Sequence, residues 1–303
     1  MEITASMVKE LREKTNAGMM DCKKALKETD GDMEKAIDFL REKGLSQAAK
    51  KADRIAAEGL TTAVISEDEK TGVVVEVNSE TDFVAKNPEF KAFVSDVAKT
   101  VVEKNPSDLE ALKVAELNGK TVQEVLTDKI AKIGENMSIR RFAEEKVNSG
   151  VVVGYIHGGG KISVIVALES EGEKEALEVL GKDIAMQVAA MNPKYISTDD
   201  VDQEFIAHER EVLIAQALNE GKPQNIVEKM VEGRLQKELK EVCLLEQAFV
   251  KDADLTVKKV IANTAAKIGK DIKISGVQRF EVGEGIEKKS ENFADEVAKQ
   301  MGL

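Results

Sequence analysis

The chain has no tryptophan, only two cysteines, two histidines and four prolines, and an aromatic fraction of 4%. These scarcities remove whole classes of function. His157 and His208 cannot form a metal cluster with two distant cysteines, Cys22 and Cys243. Neither cysteine has a CxxC partner, so both read as reduced thiols of a cytosolic protein. No apolar run approaches the roughly 18 residues of a membrane helix, and no apolar stretch precedes the first expected helix. Neither export nor membrane insertion is expected, which places the protein in the cytoplasm. Positive charge is in deficit: the net charge is −12 with 33% charged residues, which argues against a basic nucleic-acid surface for the whole chain.

What remains is a long, acidic, aliphatic chain. Its 303 residues give room for roughly two domains, and a hydrophobic fraction of 42% supports real cores. Charge is unevenly spread. Residues 1–54 hold 12 Lys and Arg against 11 Asp and Glu, a net +1, so the remainder carries −13. A near-neutral head precedes an acidic body.

The head reads as three short helices. Thr4 N-caps the first, through Lys14, with Ile3 and Val8 placed as a hydrophobic staple. Gly18 interrupts, Met19–Glu28 resumes, and Asp30-Gly31-Asp32 turns into MEKAIDFLREK, stopped by Gly44. Met19 and Met20 are large and apolar at a helix start. Core filling is the default reading and a Met-rich contact surface the sharper one. Ser46–Glu58 reads as a connecting helix ended by Gly59.

Residues 60–66 and 72–78 then pair as a hairpin across SEDEKTG. The stretch VVVEVNSETDFVAKN (Val73–Asn87) starts as a buried β-branched strand and closes on Asn87-Pro88, an N-cap with proline at the first helical position. EFKAFVSDVAKTVV continues as an amphipathic helix ending near Asn105-Pro106. Between strand and helix, Ser79–Lys86 reads as a loop. There Phe83, beside Asp82, is hard to assign to a core. By spacing alone it is expected to tuck under its own helix, as most apolar loop residues do. The alternative makes it a functional loop residue. Leu109–Leu117 and Val122–Ile133 read as further helices, the second capped by Thr121 and stopped by Gly134, and Met137–Ala143 as a strand.

A repeat follows. AKIGENMSIRRF (Ala131–Phe142) and AKIGKDIKISGVQRF (Ala266–Phe280) share a helix end, a glycine stop, a polar turn, a strand and a terminal Arg-Phe. Val151–Tyr155 and Ile162–Leu168 match the first hairpin, and Glu173–Met191 matches the helix after Pro88. Two homologous α+β halves are the economical reading. The second is split by two polar helices, about Asp199–Asn219 and Pro223–Leu244. Val201, Phe205, His208, Val212 and Ala215 suggest the seam of an antiparallel coiled coil with little core of its own.

Catalytic constellations are scarce. HGGGKIS (His157–Ser163) lacks phosphate-loop spacing and falls at a hairpin turn. His157 there reads as exposed, either idle or an interface contact. An acid–base enzyme built on Asp82 or His157 would want for a partner group near either in sequence.

LREKTNAGMMDCKKAL (Leu11–Leu26), TDFVAKN (Thr81–Asn87), AKIGENMSIRRF and RFEVGEGIEK (Arg279–Lys288) resemble the elongation factor Ts family, in the right order through essentially the whole chain. Ala248 stands where proline is expected and Asn16 where glycine is frequent. The resemblance implies an α+β fold: a ubiquitin-associated-like head (residues 1–54), core halves over 55–148 and 149–285, a coiled-coil insertion about 197–245 and a C-terminal helical module (286–303). It implies a nucleotide exchange factor, not an enzyme, that binds elongation factor Tu in its GDP-bound and nucleotide-free states without a cofactor. It leaves open a homodimer of that complex. Thr81, Asp82, Phe83 and Val84 match a wedge that displaces Mg²⁺ beside the nucleotide. Leu11, Met19, Met20, Ile133 and His157 match partner contacts, and Asn292–Met301 a last docking helix. The competing reading is a ubiquitin-associated-type binding scaffold without exchange activity.

Overall fold

The computed structural model describes residues 3–15 and 17–287. Asn16 and the helix expected over Asn292–Met301 lie outside them. Those residues divide into two units. One holds the chain up to Thr62, Val75–Phe142 and the residues from Glu281 on; the other holds Ala63–Val74 and Ala143–Phe280.

The first unit begins with α1 (Ala5–Thr15), α2 (Met19–Glu28) and α3 (Met33–Ala49). Thr4 accepts from the Met7 amide at 3.3 Å, and Asp32 caps α3 by accepting from the Lys35 amide at 3.1 Å. Val8, Leu11, Cys22, Ala25, Leu26 and Ala36 form the buried centre of this bundle. Burial pushes the thiol of Cys22 above its ordinary pKa, as it does that of Cys243. Two expectations fail here. Gly44 does not stop α3, which runs to Ala49, and no separate helix covers Ser46–Glu58. A helical glycine costs only about 1 kcal/mol, and this one is buried against Thr127 and Ala131.

The chain then forms β1 (Glu58–Ile65), β2 (Thr71–Ser79), α4 (Asp82–Lys86), α5 (Pro88–Lys104), α6 (Leu109–Val114), β3 (Glu116–Leu117), β4 (Lys120–Thr121), α7 (Val122–Ile133) and β5 (Met137–Lys146). The sheet order is β1-β2-β5. Val73, Val74, Val75 and Val77 are fully buried in β2. Gly59 lies inside β1, where a Cβ would stand 2.2 Å from the Val77 carbonyl. It marks close strand approach rather than a helix end. Asn87 caps α5 by accepting from the Glu89 amide at 2.8 Å. Thr121 and Glu124 form a reciprocal capping box on α7, and Gly134 ends it at φ 92°. The helix expected over Leu109–Leu117 stops at Val114 because Asn118 and Gly119 both adopt positive φ, turning β3 back onto β4. Arg41 pairs with Glu124 at 2.5 Å, and Lys51 donates to the Ile130 carbonyl at 3.5 Å, so α3 and the residues after it are tied to α7.

The second unit contains β6 (Gly150–His157), β7 (Ile162–Glu169), α8 (Lys174–Met191), α9 (Gln203–Asn219), α10 (Gln224–Val242), β8 (Ala248–Phe249), β9 (Asp252–Thr256), α11 (Val257–Ile268) and β10 (Lys273–Glu281). Its sheet order is β10-β7-β6. As in the first unit, a hairpin contributes its second strand as the centre. Likewise a short strand pair leads into a 12-residue helix, capped by threonine (Thr256) and ended by glycine (Gly269, φ 66°). Val166, Leu168, Leu177, Ile184, Val188 and Leu244 are among its buried core residues.

Between α8 and β8 lies the helical arm. Thr198–Asp200 is a 3₁₀ turn, and Asp202 caps α9. The seam matches the expected one only in part: Val201 is buried in it and Phe205 packs against it. Leu213 and Ala217 of α9 meet Val227, Val231, Leu235 and Leu239 of α10, while His208 and Ala215 are exposed. Phe205, Ile206, Val212, Leu213 and Ile214 surround α9 with apolar residues, so two registers fit the sequence and packing decides. The arm therefore has an apolar core of its own. At its neck the Lys194 and Tyr195 amides donate to the Val242 carbonyl, and the Leu244 and Leu245 amides donate to Tyr195 and Ile196 carbonyls, at 2.9–3.1 Å.

This neck permits a direct test of separability. Replacing residues 198–241 with a short Gly-Ser linker keeps the neck pairing and is expected to leave a folded protein. Circular dichroism should lose the α9 and α10 signal yet retain a cooperative thermal transition. A molten or insoluble product would make the arm integral to its unit's core.

Candidate functional site

The segment after β2 is shaped by residues distant in sequence. Ser79 ends the strand and donates to the Thr81 carbonyl at 3.0 Å. Thr81 caps α4, its hydroxyl accepting from the Val84 amide at 3.4 Å. The same residue meets Glu135, in the turn after Gly134. Its hydroxyl donates to one carboxylate oxygen at 2.6 Å and its amide to the other at 3.0 Å. Glu80 accepts from the Asn136 amide at 2.5 Å, and Asn136 donates to the Arg54 carbonyl at 2.7 Å. Within Ser79–Lys86, expected as a loop, Ser79 still belongs to β2 and Asp82–Lys86 form a braced single turn of helix.

That bracing decides which side chains project. Val84 and Ala85 are buried, so Val84 is support rather than contact surface. Phe83 is 80% exposed. It does not tuck beneath α5, because Val84 and Ala85 take the inward positions. Lys86 lies 2.6 Å from Asp82 and 5.9 Å from the Phe83 ring centroid, cladding the aromatic with charge. An exposed ion pair contributes little; Glu135 and the Thr81 cap carry the geometry. Behind α4, Lys132 and then Lys129 bond to Glu89 and hold its carboxyl below the usual range.

Elsewhere in the first unit, Met19 and Met20 are 59% and 75% exposed at the start of α2. The core-filling reading fails because Cys22, Ala25 and Leu26 occupy the inward face. Leu11, expected at a partner surface, is fully buried in the bundle core and has no exposed face to offer one. Ile133 is half-buried at the last turn of α7. In the second unit, His157 is exposed at the end of β6, with its Nδ1 3.0 Å from the Tyr155 hydroxyl. Among the described residues, no His, Cys, Asp and Glu group could hold a metal ion, and no helix is long and apolar enough to cross a membrane.

The braces Glu80, Glu135 and Asn136 were not singled out from sequence. For Glu135 and Asn136 the signal was the polar turn after the glycine stop in the repeat, whose chemistry becomes visible only when β5 folds beside β2.

Residues 80–284 match the family model described as Elongation factor TS. The chain belongs to the elongation factor Ts family. It is 62% identical over 300 residues to elongation factor Ts of Clostridioides difficile (strain 630), with 99% of each chain covered. It is 58% identical over 301 residues to elongation factor Ts of Clostridium perfringens (strain SM101 / Type A), again over 99% of each. Protein biosynthesis, at translation elongation, is the process to which this family belongs.

The brace is testable apart from function. Glu135→Ala removes the acceptor of two hydrogen bonds and is expected to cost about 1–3 kcal/mol. The urea midpoint should fall and amide exchange at Thr81–Val84 should quicken. Unchanged protection of those amides would mean that α4 holds without Glu135.

Proposed function

We propose that the chain is a guanine-nucleotide exchange factor that binds elongation factor Tu carrying GDP and releases the nucleotide so that GTP can enter. The observation that carries this is Phe83, an exposed aromatic on a turn of helix braced from both ends. Asp82 and Phe83 form the tip of the wedge, while Thr81 and Val84 set its posture. The tip enters beside the bound nucleotide and shifts the ligands of the partner's Mg²⁺. Met19, Met20, Ile133 and His157 supply further contacts. The head, residues 1–54, is a ubiquitin-associated-like bundle. The core is a duplication, 55–148 and 149–285, with the arm inserted at about 197–245 and a C-terminal module over 286–303. The site of action is the cytoplasm.

Linkage makes this sufficient without covalent chemistry. A nanomolar GDP complex holds about 12 kcal/mol. The factor need not supply all of it. It must bind the loosened state better than the closed one, and the nucleotide then weakens the factor by the same ratio. Mg²⁺ bridging to phosphate oxygens provides much of the electrostatics in such sites. A rigid aromatic that shifts those ligands lowers the barrier to release, and its rigidity limits the ordering cost of binding.

Stopped-flow release of fluorescent GDP from elongation factor Tu at fixed Mg²⁺ tests the reading. If Phe83 is the central contact, Phe83→Ala loses about 2–4 kcal/mol of coupling, which slows release about 30- to 700-fold at subsaturating factor. A folded Phe83→Ala protein that releases GDP at the parental rate would refute the wedge. Binding of the parent protein without any release would favour a scaffold.

The head contact has its own measurement. Replacing Met19 and Met20 together with Ala is expected to raise the dissociation constant for elongation factor Tu while leaving the melting temperature nearly unaltered. A lower melting temperature with unchanged affinity would return both residues to a packing role.

A further inference from the structure

The tip of the β6–β7 hairpin is more constrained than its glycines suggest. Gly158, Gly159 and Gly160 all have positive φ, which closes the turn tightly. The His157 carbonyl accepts from the Gly160 amide at 3.2 Å and the Lys161 amide at 3.1 Å, and His157 is in register with Ile162. The backbone of His157 is thereby fixed at an exposed position. Two residues earlier on the same strand face, Tyr155 packs its ring against the core of the second unit. Its hydroxyl lies 3.0 Å from His157 Nδ1, and the two ring centroids are 6.0 Å apart.

The chemistry of that contact sets the tautomer. A phenol oxygen delocalises its lone pair into the ring, so the group donates better than it accepts. With the Tyr155 hydroxyl donating, Nδ1 is the acceptor, and the proton of the neutral imidazole resides on Nε2. Nε2 has no hydrogen-bond partner among the described residues.

We propose that Tyr155 is a positioning residue for His157, holding the imidazole so that Nε2–H is offered as a hydrogen-bond donor to an oxygen acceptor on the partner. The inference rests on the reading in which this hairpin tip docks on elongation factor Tu. It adds the direction of the hydrogen bond and the group that enforces it. The ring of Tyr155 stays in the core while its hydroxyl reaches the surface, so the device adds no flexible group to the interface. Preorienting one ring removes a rotamer and tautomer choice that would otherwise be made at binding.

Tyr155→Phe preserves the ring packing and removes only the hydroxyl. It is expected to weaken binding to elongation factor Tu about 3- to 10-fold, the effect of one net hydrogen bond. Nitrogen-15 spectra of the free protein should show His157 mainly in the Nε2–H form in the parent and as a tautomer mixture in Tyr155→Phe. A merely structural tyrosine would not move that signature. His157→Gln places an amide N–H near the position of Nε2 and is expected to bind within about 3-fold of the parent, whereas His157→Ala should lose about 10-fold or more. Unchanged affinity and tautomer in Tyr155→Phe, or a parent imidazole protonated mainly at Nδ1, would overturn the proposal. Unaltered affinity in His157→Ala would also overturn it, by removing the tip from the interface, and would leave the exchange reading standing. That reading fails separately, if the parent protein releases no GDP.

Discussion

A carboxylate with no exposure to water sits in the middle of β2. Glu76 accepts from the Gly283 amide at 2.8 Å, from Arg140 at 3.0 Å, from Arg141 at 2.6 Å and from Asn78 at 3.1 Å. Burial pushes its pKa up, but the Gly283 amide, Arg141, Arg140 and Asn78 together outweigh burial and hold the carboxyl below its usual range. An unpaired buried charge would cost several kcal/mol, comparable with the stability of a whole domain. These contacts are therefore obligatory, and they tie three pieces of chain together: β2, β5 and the turn after β10. Gly283 can serve only because it lacks a side chain. Its φ is 70°, and a Cβ would lie 2.2 Å from the Ala57 carbonyl. Arg141 also bonds Glu284 at 3.0 Å, which closes the cluster on the far side.

The α4 turn inherits its geometry from that fixed point. Glu76 meets Arg140, and four residues on, Glu80 meets Asn136. The partners run in opposite directions, so β5 lies antiparallel to β2 with its register set at Glu76. This brings Glu135 to Thr81. A helix of five residues has no stability of its own, since nucleation outweighs one turn of hydrogen bonds. The bonds to Glu135 and the buried Val84 and Ala85 hold α4 in place, and Phe83 can then stay exposed without collapsing.

How much of this the sequence revealed follows from the range of each signal. The α7 boundaries, Val122–Ile133, were legible because Thr121, Glu124 and Gly134 act within one turn of the helix ends. Both hairpins and the proline-started α5 were legible for the same reason. The helix expected to end at Leu117, just before Asn118-Gly119, ran three residues too far because Glu116 and Leu117 pair with β4 instead. Gly44 misled in the other direction: a glycine ends a helix by turning left-handed, and Gly44 stays helical, packed against Thr127 and Ala131 of α7. The α9 seam, the exposure of Phe83 and the role of Glu135 were beyond local reading, since each depends on a neighbour far away in sequence. The exposure of Met19 and Met20 likewise depended on which face of α2 the other head helices cover.

The recurring order of elements explains where contact surfaces can arise. In the second unit β7 passes to α8 through four residues, Ser170–Glu173, and the Ser170 hydroxyl donates to the Asp271 carbonyl at 2.7 Å. Asp271 follows Gly269 as Asn136 follows Gly134, so the hydroxyl there clamps a strand end to the turn after a glycine-ended helix, as Thr81 does with Glu135. The clamp therefore belongs to the shared frame and needs no contact function to explain it. What differs in the first unit is the length bridged: Glu80–Asn87 carries α4 where the second unit has only a turn. The second unit departs from the frame in turn at the arm, whose neck pairs backbone to backbone before the helices begin. In each unit an added segment leaves the frame at a point where hydrogen bonds already fix the chain. Rigidity at the root is thus supplied by elements the fold requires anyway, and the added segment is left free to present exposed side chains.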